Sequence, residues 1–332
     1  MSVLRCIASF RVLALVLALP LSLGAALTHA ADTDRWPAKS IKIILPFSPG
    51  AATDIATRRM ATALSPRLGQ SVYVENKTGG MGTIGVAAAV RDRPDGYTLT
   101  ATDTSIILTP FLMKDVPYDA FTDLIPIVAY VFTPLGIVVN ANSPYKSVRD
   151  LIGAAKAQPN KITFGSGGAG SSTHLAAEAF AMDAGIALMH IPYKGAAEGV
   201  LAVLSGTIVM QFASPATTMG NLKAGKLRML VLSGDARSKM LPDVPTFTEV
   251  GLKNSNYLNW IGLWTPKGTP AAVVERLRKE VGSVMSSPEM VAFAREIGAD
   301  PRVVVGDDFA QLMHQERNKW KAIVTKIGLE PR

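Results

Sequence analysis

Three times in this sequence an apolar run empties into a glycine-rich turn that opens a helical pattern, at residues 46–53, 77–85 and 165–173. Strand, tight turn and helix in that order restrict the chain to α/β architectures. Each such junction also leaves unpaired backbone N–H groups at the positive end of a helix dipole. Groups of that kind attract anions. Three of them facing one cleft would form an anion receptor made largely of backbone.

The rest of the chain repeats the alternation. Apolar runs predict strands at Ile41–Leu45, 72–74, 97–101, 125–131, 136–139, 162–164, 188–191, 208–212, Leu227–Leu232 and 260–264. Helical patterns fall between them at 54–68, 84–91, Val148–Ala157, Ser172–Ala184, Ala196–Leu204 and 219–224. Strand alternating with helix predicts parallel sheets. After Pro270 the chain turns helical, at Ala271–Met285, 289–297 and 308–327. Such a tail is expected to pack back on the domain that starts the chain. The length suffices for two α/β domains, each with its own core. Crossings are expected at Thr133-Pro134-Leu135-Gly136 and within 254–263. They make one domain of 31–134 plus 260–332 and a second of 135–259. Ligands of open parallel sheets bind beyond the carboxyl ends of the strands. That face would lie in the cleft between the domains, where binding can couple to hinge closure.

The first thirty residues read as a secretory leader. Arg5 and Arg11 precede the apolar stretch 12–23, and Thr28-His29-Ala30 ends in small residues suited to cleavage before Ala31. The stretch is shorter than the ~20 residues a spanning helix needs. The reading places the mature chain in the periplasm. Cys6, the one cysteine, lies inside the leader, so the mature chain has no disulfide and no thiolate site. Of 34 basic residues two fall in the leader, and against 26 acidic ones the mature charge is +6. A modest positive field favours anionic ligands. It is too dilute for nucleic acid, and no basic stripe is interleaved with aromatics.

Several segments mimic catalytic or cofactor motifs. Gly165-Ser166-Gly167-Gly168-Ala169-Gly170 and Gly80-Met81-Gly82-Thr83-Ile84-Gly85 both match the dinucleotide fingerprint. In the first unit the next strand ends in Pro192-Tyr193-Lys194, with no carboxylate for a ribose. In the second Asp103 is near, but the glycines sit several residues past their strand. Gly220-Asn221-Leu222-Lys223-Ala224-Gly225-Lys226 resembles a phosphate loop, yet Leu227 stands where Ser or Thr must reach Mg²⁺. Gly225 reads better as a helix C-cap. There is no G-x-S-x-G elbow. The mature histidines, His174, His190 and His314, show no metal-binding spacing. His174 is expected to tie the third turn to a neighbouring strand, His190 to belong to the core and His314 to the surface. No cofactor, metal or catalytic residue is expected.

What remains is recognition. In the first turn Thr53 or Asp54 can satisfy a free helix N–H. The sequence leaves Asp54 open between a cap and a ligand contact. In the third turn Gly167 and Gly168 offer backbone donors, and Ser171, Ser172 and Thr173 add hydroxyls. Such groups bind a carboxylate directly or through water.

These pieces resemble the Bug family of periplasmic solute-binding receptors, the extracytoplasmic component of tripartite tricarboxylate transporters. Trp36-Pro37 followed by 41–54 is similar to the family's opening "WP…I…VPFPAGGATD". Val74-Glu75-Asn76-Lys77-Thr78-Gly79 with Gly82-Thr83-Ile84-Gly85 resembles "VENRPGAGGTIG", and Pro94-Asp95-Gly96-Tyr97-Thr98-Leu99 resembles "PDGYTL". Residues 165–170 with Ser171, His174, Leu175, Ala176 and Glu178 resemble "GSxGxGSxxHLAxE". Ile191-Pro192-Tyr193-Lys194-Gly195, the segment 223–228 and the segment 241–246 resemble "VPYKG", "KAGKLR" and "LPDVPT". Their order and spacing span essentially the whole mature chain. The resemblance implies a type II periplasmic-binding-protein fold, two α/β domains around a ligand cleft. It implies capture of a small organic carboxylate, partly through waters, for delivery to membrane transporter subunits. Carried over, the ligand-binding positions are Phe47, Ser48, Ala51, Thr53 and Asp54, then Ser166, Gly167, Gly168, Ser171, Ser172 and Thr173. Tyr193 and Lys194 would lie at the cleft, Lys194 either pairing with an anion or standing as a solvated rim charge. The receptor would act as a monomer.

Two departures stand out. Ala51 replaces a glycine of the family's first turn and restricts φ there. The family segment "GQVDLMFD" reads Gly206-Thr207-Ile208-Val209-Met210-Gln211-Phe212-Ala213, without either aspartate. If position 213 faces the cleft, Ala213 removes an acceptor for a ligand amine. The expected ligand is therefore a plain di- or aromatic carboxylate. Two readings from other classes stand beside this one. A protein signalling to a membrane sensor kinase would differ in its gene neighbourhood. A periplasmic enzyme using His174 as base would need an activating partner that the sequence does not offer.

Overall fold

The computed structural model describes residues 35–326 except Ser48, Ala51 and Lys194, together with residues 328, 330 and 331. The leader at residues 1–30 and its cleavage point lie outside the described residues. The described strands form two sheets. The first holds β1 (Ile41–Leu45), β2 (Val72–Asn76), β3 (Thr98–Asp103), β4 (Leu124–Pro134), β10 (Leu258–Pro266) and β11 (Val304–Val305), in the order β11-β4-β10-β3-β1-β2. The second holds β5 (Gly136–Asn140), β6 (Thr163–Ser166), β7 (Met189–Pro192), β8 (Met210–Ala213) and β9 (Leu227–Leu232), in the order β7-β6-β8-β5-β9.

The expectation of parallel sheets holds only in part. β1 runs parallel to β2 and β3, and β6 runs parallel to β7 and β8. β10 lies antiparallel between β3 and β4, and β5 lies antiparallel between β8 and β9. The cause is the chain crossing. β4 ends at Pro134 and β5 begins at Gly136, so one extended run passes from the first sheet into the second. β10 makes the return trip. A strand arriving from the other lobe enters its new sheet at the cleft end, so it runs against strands whose carboxyl ends face the cleft.

The helices are α1 (Ala52–Leu68), α2 (Thr83–Val90), α3 (Ser105–Leu108), α4 (Val148–Ala157), α5 (Ser172–Ala184), α6 (Ala196–Leu204), α7 (Pro215–Lys223), α8 (Ala271–Met285), α9 (Pro288–Glu296) and α10 (Gly306–Lys326). Their ends follow local chemistry. Ser147 and Asp150 form a reciprocal capping box at the start of α4, and Ser287 caps α9. Past the end of α7, Gly225 takes φ 65°, its N–H donating to the Leu222 carbonyl and that of Lys226 to Asn221. That is a left-handed helix stop and not a phosphate loop.

Side-chain pattern sorts the layers. β1 reads Ile-Lys-Ile-Ile-Leu with all but Lys42 buried, as suits a strand covered on both faces. One core joins β1, β3, α1 and α8 through Ile43, Leu99, Met60 and Leu277. A second joins both lobes, running from Phe164, Phe180 and Phe212 to Trp260, Trp264 and Phe309. The tail is less confined than expected. α8 packs on α1 and β4, whereas α10 touches β4 and also α5 of the second lobe. Its Trp320 lies 4.7 Å from the Tyr257 ring, beside the returning strand. His314, on the same helix, is exposed and packs at a tilt on the Phe121 ring, 4.7 Å between centroids.

Candidate functional site

The first turn leaves β1 and enters α1, and a cluster of charged and amide side chains holds it. Asp54, in the first turn of α1, is 3% exposed. Its Oδ2 accepts the Gly50 N–H at 2.9 Å, and Arg58 Nε reaches both oxygens at 3.0 Å. Asn76, the last residue of β2, donates through Nδ2 to Asp54 Oδ1 at 2.8 Å and to the Phe47 carbonyl at 2.9 Å. Arg58 closes the ring by donating to Asn76 Oδ1 at 2.6 Å. Burial alone would raise the Asp54 pKa, but the bonds from Arg58, Asn76 and Gly50 outweigh it and hold the carboxyl below its ordinary value. The carboxylate therefore spends its acceptor capacity on fixing the turn. Thr53 offers its carbonyl to Thr57, and Phe47 is half-buried against the first core. Ser48 and Ala51 lie outside the described residues.

The second turn stacks on the first. Lys77 donates its N–H to the Leu45 carbonyl at 2.8 Å. A Cβ on Gly85 would lie 2.6 Å from the Lys77 carbonyl and 3.0 Å from Pro46, so only glycine lets α2 approach the first turn this closely. Gly79, Gly80, Met81 and Gly82 all have positive φ.

The third turn stands at the carboxyl end of β6 and is held without ionised groups. The Gly167 N–H donates to Thr173 Oγ1 at 3.0 Å, Gly168 N–H to Ser166 Oγ at 3.1 Å and Gly170 N–H to His174 Nδ1 at 3.0 Å. Ser166, fully buried, also bonds His190 Nε2 at 2.6 Å. Ser171 caps α5 through the His174 N–H and bonds the Thr173 hydroxyl at 3.1 Å. The glycine amides expected to face a ligand are thus consumed inside the turn, because neighbouring side chains reach them first. Ser172 and Thr173 open α5. As first residues of that helix their N–H groups have no carbonyl behind them within it.

The two histidines form one unit. Their rings stack at 4.0 Å between centroids, and Phe164 stacks on His190 at 4.8 Å. His174 ties its own turn, and its Nε2 faces Glu178 at 3.6 Å. His190 is half-buried and serves the turn through Ser166, more than the core residue its strand suggested. Burial pushes its pKa down to about 4, the neighbouring His174 adds to that and Glu178 opposes it. His190 is therefore neutral near pH 7.

The third turn faces the first lobe. A Cβ on Gly170 would lie 2.8 Å from Leu112 Cδ2, on the segment that leaves β3 and α3. Tyr193 donates its N–H to the Ser166 carbonyl, and Lys194 lies outside the described residues. Gln211 wedges between β6 and α6, its Nε2 donating to the Ala196 carbonyl at 2.6 Å, and it leaves room only for glycine at 165 and 199. Ala213 is 2% exposed and packs in an apolar cluster with Val138, Val200 and Leu232.

Arg58, Asn76, His190 and Leu112 are neighbours of the turns that sequence reasoning missed. Arg58 was legible as the i+4 partner of Asp54 on one helix face. Asn76 sat inside a segment already singled out. His190 and Leu112 reach the third turn only through tertiary contact. No cluster of metal-ligating side chains occurs among the described residues, and none of their helices is long and apolar enough to cross a membrane.

The chain matches the tripartite tricarboxylate transporter family receptor over residues 56–329. It is 32% identical to the protein BugT of Bordetella pertussis, over 90% of this chain and 92% of that one. A solved TctC solute-binding protein from Polaromonas superposes with a TM-score of 0.79 at 30% identity, covering 88% of this chain and 99% of its own. The Rhodopseudomonas palustris protein Rpa4515, solved with adipate, superposes with a TM-score of 0.76 at 28% identity, covering 90% of this chain and all of that one. The Polaromonas relative is a solute-binding protein, and a further solved neighbour at 29% identity is the periplasmic binding protein BugD, with a TM-score of 0.72 over 90% of this chain and all of its own. Joined sheets, glycine turns on both lobes and sequence kinship agree that this chain belongs to the tripartite tricarboxylate transporter receptor family.

Proposed function

We propose that this chain is an exported periplasmic receptor that captures a small organic carboxylate between its lobes and delivers it to the membrane subunits of a tripartite transporter. The lobes are residues 31–134 plus 260–332 and residues 135–259. One observation carries the reading. The first and third turns stand at the carboxyl ends of strands in different sheets, and the third meets the first lobe where Gly170 approaches Leu112. Such a site attracts an anion without carrying a matching full charge. The adipate held by the Rhodopseudomonas relative is a carboxylate of the class this reading requires. In this reading Phe47, Ser48, Ala51, Thr53, Ser171, Ser172, Thr173, Tyr193 and Lys194 form the ligand shell, and Asp54, Ser166, Gly167 and Gly168 hold the turns that carry it.

A thermal-shift screen of organic acids tests the reading. A ligand at 100 times its Kd adds about 2.7 kcal/mol of stability. At least one small carboxylate should raise the melting temperature by several degrees. No response to any acid at millimolar concentration would overturn the proposal.

A further inference from the structure

Gln211 is a polar side chain in the core of the second lobe. It lies in β8 between Val138 of β5 and Gly165 of β6, and it is fully buried. Its strand neighbours Met210 and Phe212 are apolar. Its Nε2 donates to the Ala196 carbonyl at 2.6 Å. That carbonyl can only accept, so the nitrogen is the end of the amide that faces it. The other end, Oε1, meets no donor among the described residues. A buried oxygen without a partner destabilises a fold. Two glycines make room for it. A Cβ on Gly199 would fall 1.7 Å from Oε1, and one on Gly165 would fall 2.8 Å from it. The Ala196 carbonyl, in the first turn of α6, is already placed to accept from the helix itself. Val200 and Val203 bury the same helix without help. A core built for stability alone would carry an apolar side chain at position 211.

The amide reaches the start of α6, and the start of α6 lies against the third turn. A Cβ on Gly167 would come within 3.2 Å of the Ala196 nitrogen and 3.6 Å of the Gly195 carbonyl carbon. Tyr193 donates its N–H to the Ser166 carbonyl at 3.1 Å. Its own carbonyl lies 3.5 Å from the point a Gly168 Cβ would occupy, and its ring edge 3.3 Å from that of Gly165. Gln211 therefore touches, at Ala196 and Gly165, both ends of the packing between Tyr193 and the third turn.

We propose that Gln211 is a positioning residue of the ligand cleft. Its amide draws the start of α6 onto the third turn and so sets how far the Tyr193 wall reaches toward a bound acid, at the expense of stability. The inference rests on the carboxylate-receptor reading, in which Tyr193 and the third turn carry the ligand shell.

Gln211→Met tests it. Methionine keeps the length, removes the unpaired oxygen and leaves the Ala196 carbonyl to the helix. The variant and the wild-type protein are compared by thermal unfolding without ligand, by calorimetric titration with succinate, adipate and benzoate, and by hydrogen exchange across α6. The melting temperature should hold or rise. Affinity for the acid that the wild-type protein binds most tightly should fall by at least threefold. The first turn of α6 should exchange faster while β5 does not. A smaller change in affinity overturns the proposal, as does unchanged exchange in α6. Weaker binding together with a lower melting temperature also overturns it, because general loosening then accounts for both. If Gln211→Met fails to fold, Gly199→Ala displaces the amide from the other side and should again weaken binding by at least threefold. Wild-type affinity in that variant overturns the proposal. If the wild-type protein binds none of the three acids, the receptor reading fails for them, and exchange across α6 decides the role of Gln211 alone.

Discussion

The first and third turns perform the same task with opposite chemistry. The first is closed by an ionised ring of Asp54, Arg58 and Asn76, with one full charge pair among its bonds. The third is closed by hydroxyls and imidazoles: Ser166, Thr173, His174 and His190. Each fixes the turn that opens a helix. A carboxylate beside the first turn is tolerable because Arg58 and Asn76 consume its charge. The third turn needs no charge at all. Two ways of building an anion-friendly corner should therefore fail under different stresses.

The largest effect is expected at Asp54. Asp54→Ala leaves the Gly50 N–H, Asn76 and Arg58 without their shared acceptor. Losing a buried charged partner costs about 3 kcal/mol. Arg58 is nearly half exposed, so solvent recovers part of its bonding. Thermal unfolding should show that loss, and carboxylate affinity should fall by more than tenfold. Unchanged affinity would mean that the first turn holds itself without the clamp and that the contrast is false.

pH should split the two turns. His190 is neutral in the folded protein down to about 4, while an unfolded histidine takes its proton near 6.5. Its contribution to stability is full above pH 6.5 and is lost as pH falls toward 4. The shift corresponds to a few kcal/mol at most, discounted to about 1–2 kcal/mol for partial exposure. Asp54, with its pKa lowered, contributes stability that is lost only below the ordinary carboxylate value. Between pH 6.5 and 4 the third turn should weaken while the first stands. His190→Gln should flatten the melting-temperature profile across that window. A profile of the same slope in the variant would place the titration elsewhere.

Gly170→Ala tests the contact between lobes. The residue sits at φ 79°, and its new methyl would meet Leu112. The left-handed conformation costs about 1 kcal/mol and the contact adds to it. Adding Leu112→Ala should recover the contact share and leave the backbone share, as read by unfolding of the single and double variants. Full recovery would show that φ carries no strain here.

Much of this was legible in the sequence. Runs such as Ile41–Leu45 and Leu227–Leu232 gave strands at their observed limits, and the capped helices fell within a residue or two. Strand direction was not legible, since an apolar run reads the same both ways. Only the crossing at Pro134 and the return at Leu258 reverse β5 and β10. β11, two residues long, and α3, four residues long, carry too little pattern to find. At the site the segments were right and the bonding was not. The sequence offered free glycine amides, and the fold brings Thr173, Ser166 and His174 onto them.

The smallest expected effect refines the third turn. Thr173→Ser keeps the hydroxyl that accepts the Gly167 N–H and bonds Ser171, and it removes one methyl from a residue that is 6% exposed. The loss should be about 0.5 kcal/mol, with carboxylate affinity nearly unchanged. Thr173→Val keeps the shape and removes the acceptor, so the Gly167 amide is left without a partner at about 1–2 kcal/mol. If the third turn holds its ligand through side-chain bracing, valine should weaken binding and serine should not. If the two variants bind alike, Gly167 finds another acceptor, and the hydroxyl network is a consequence of the turn and not its cause.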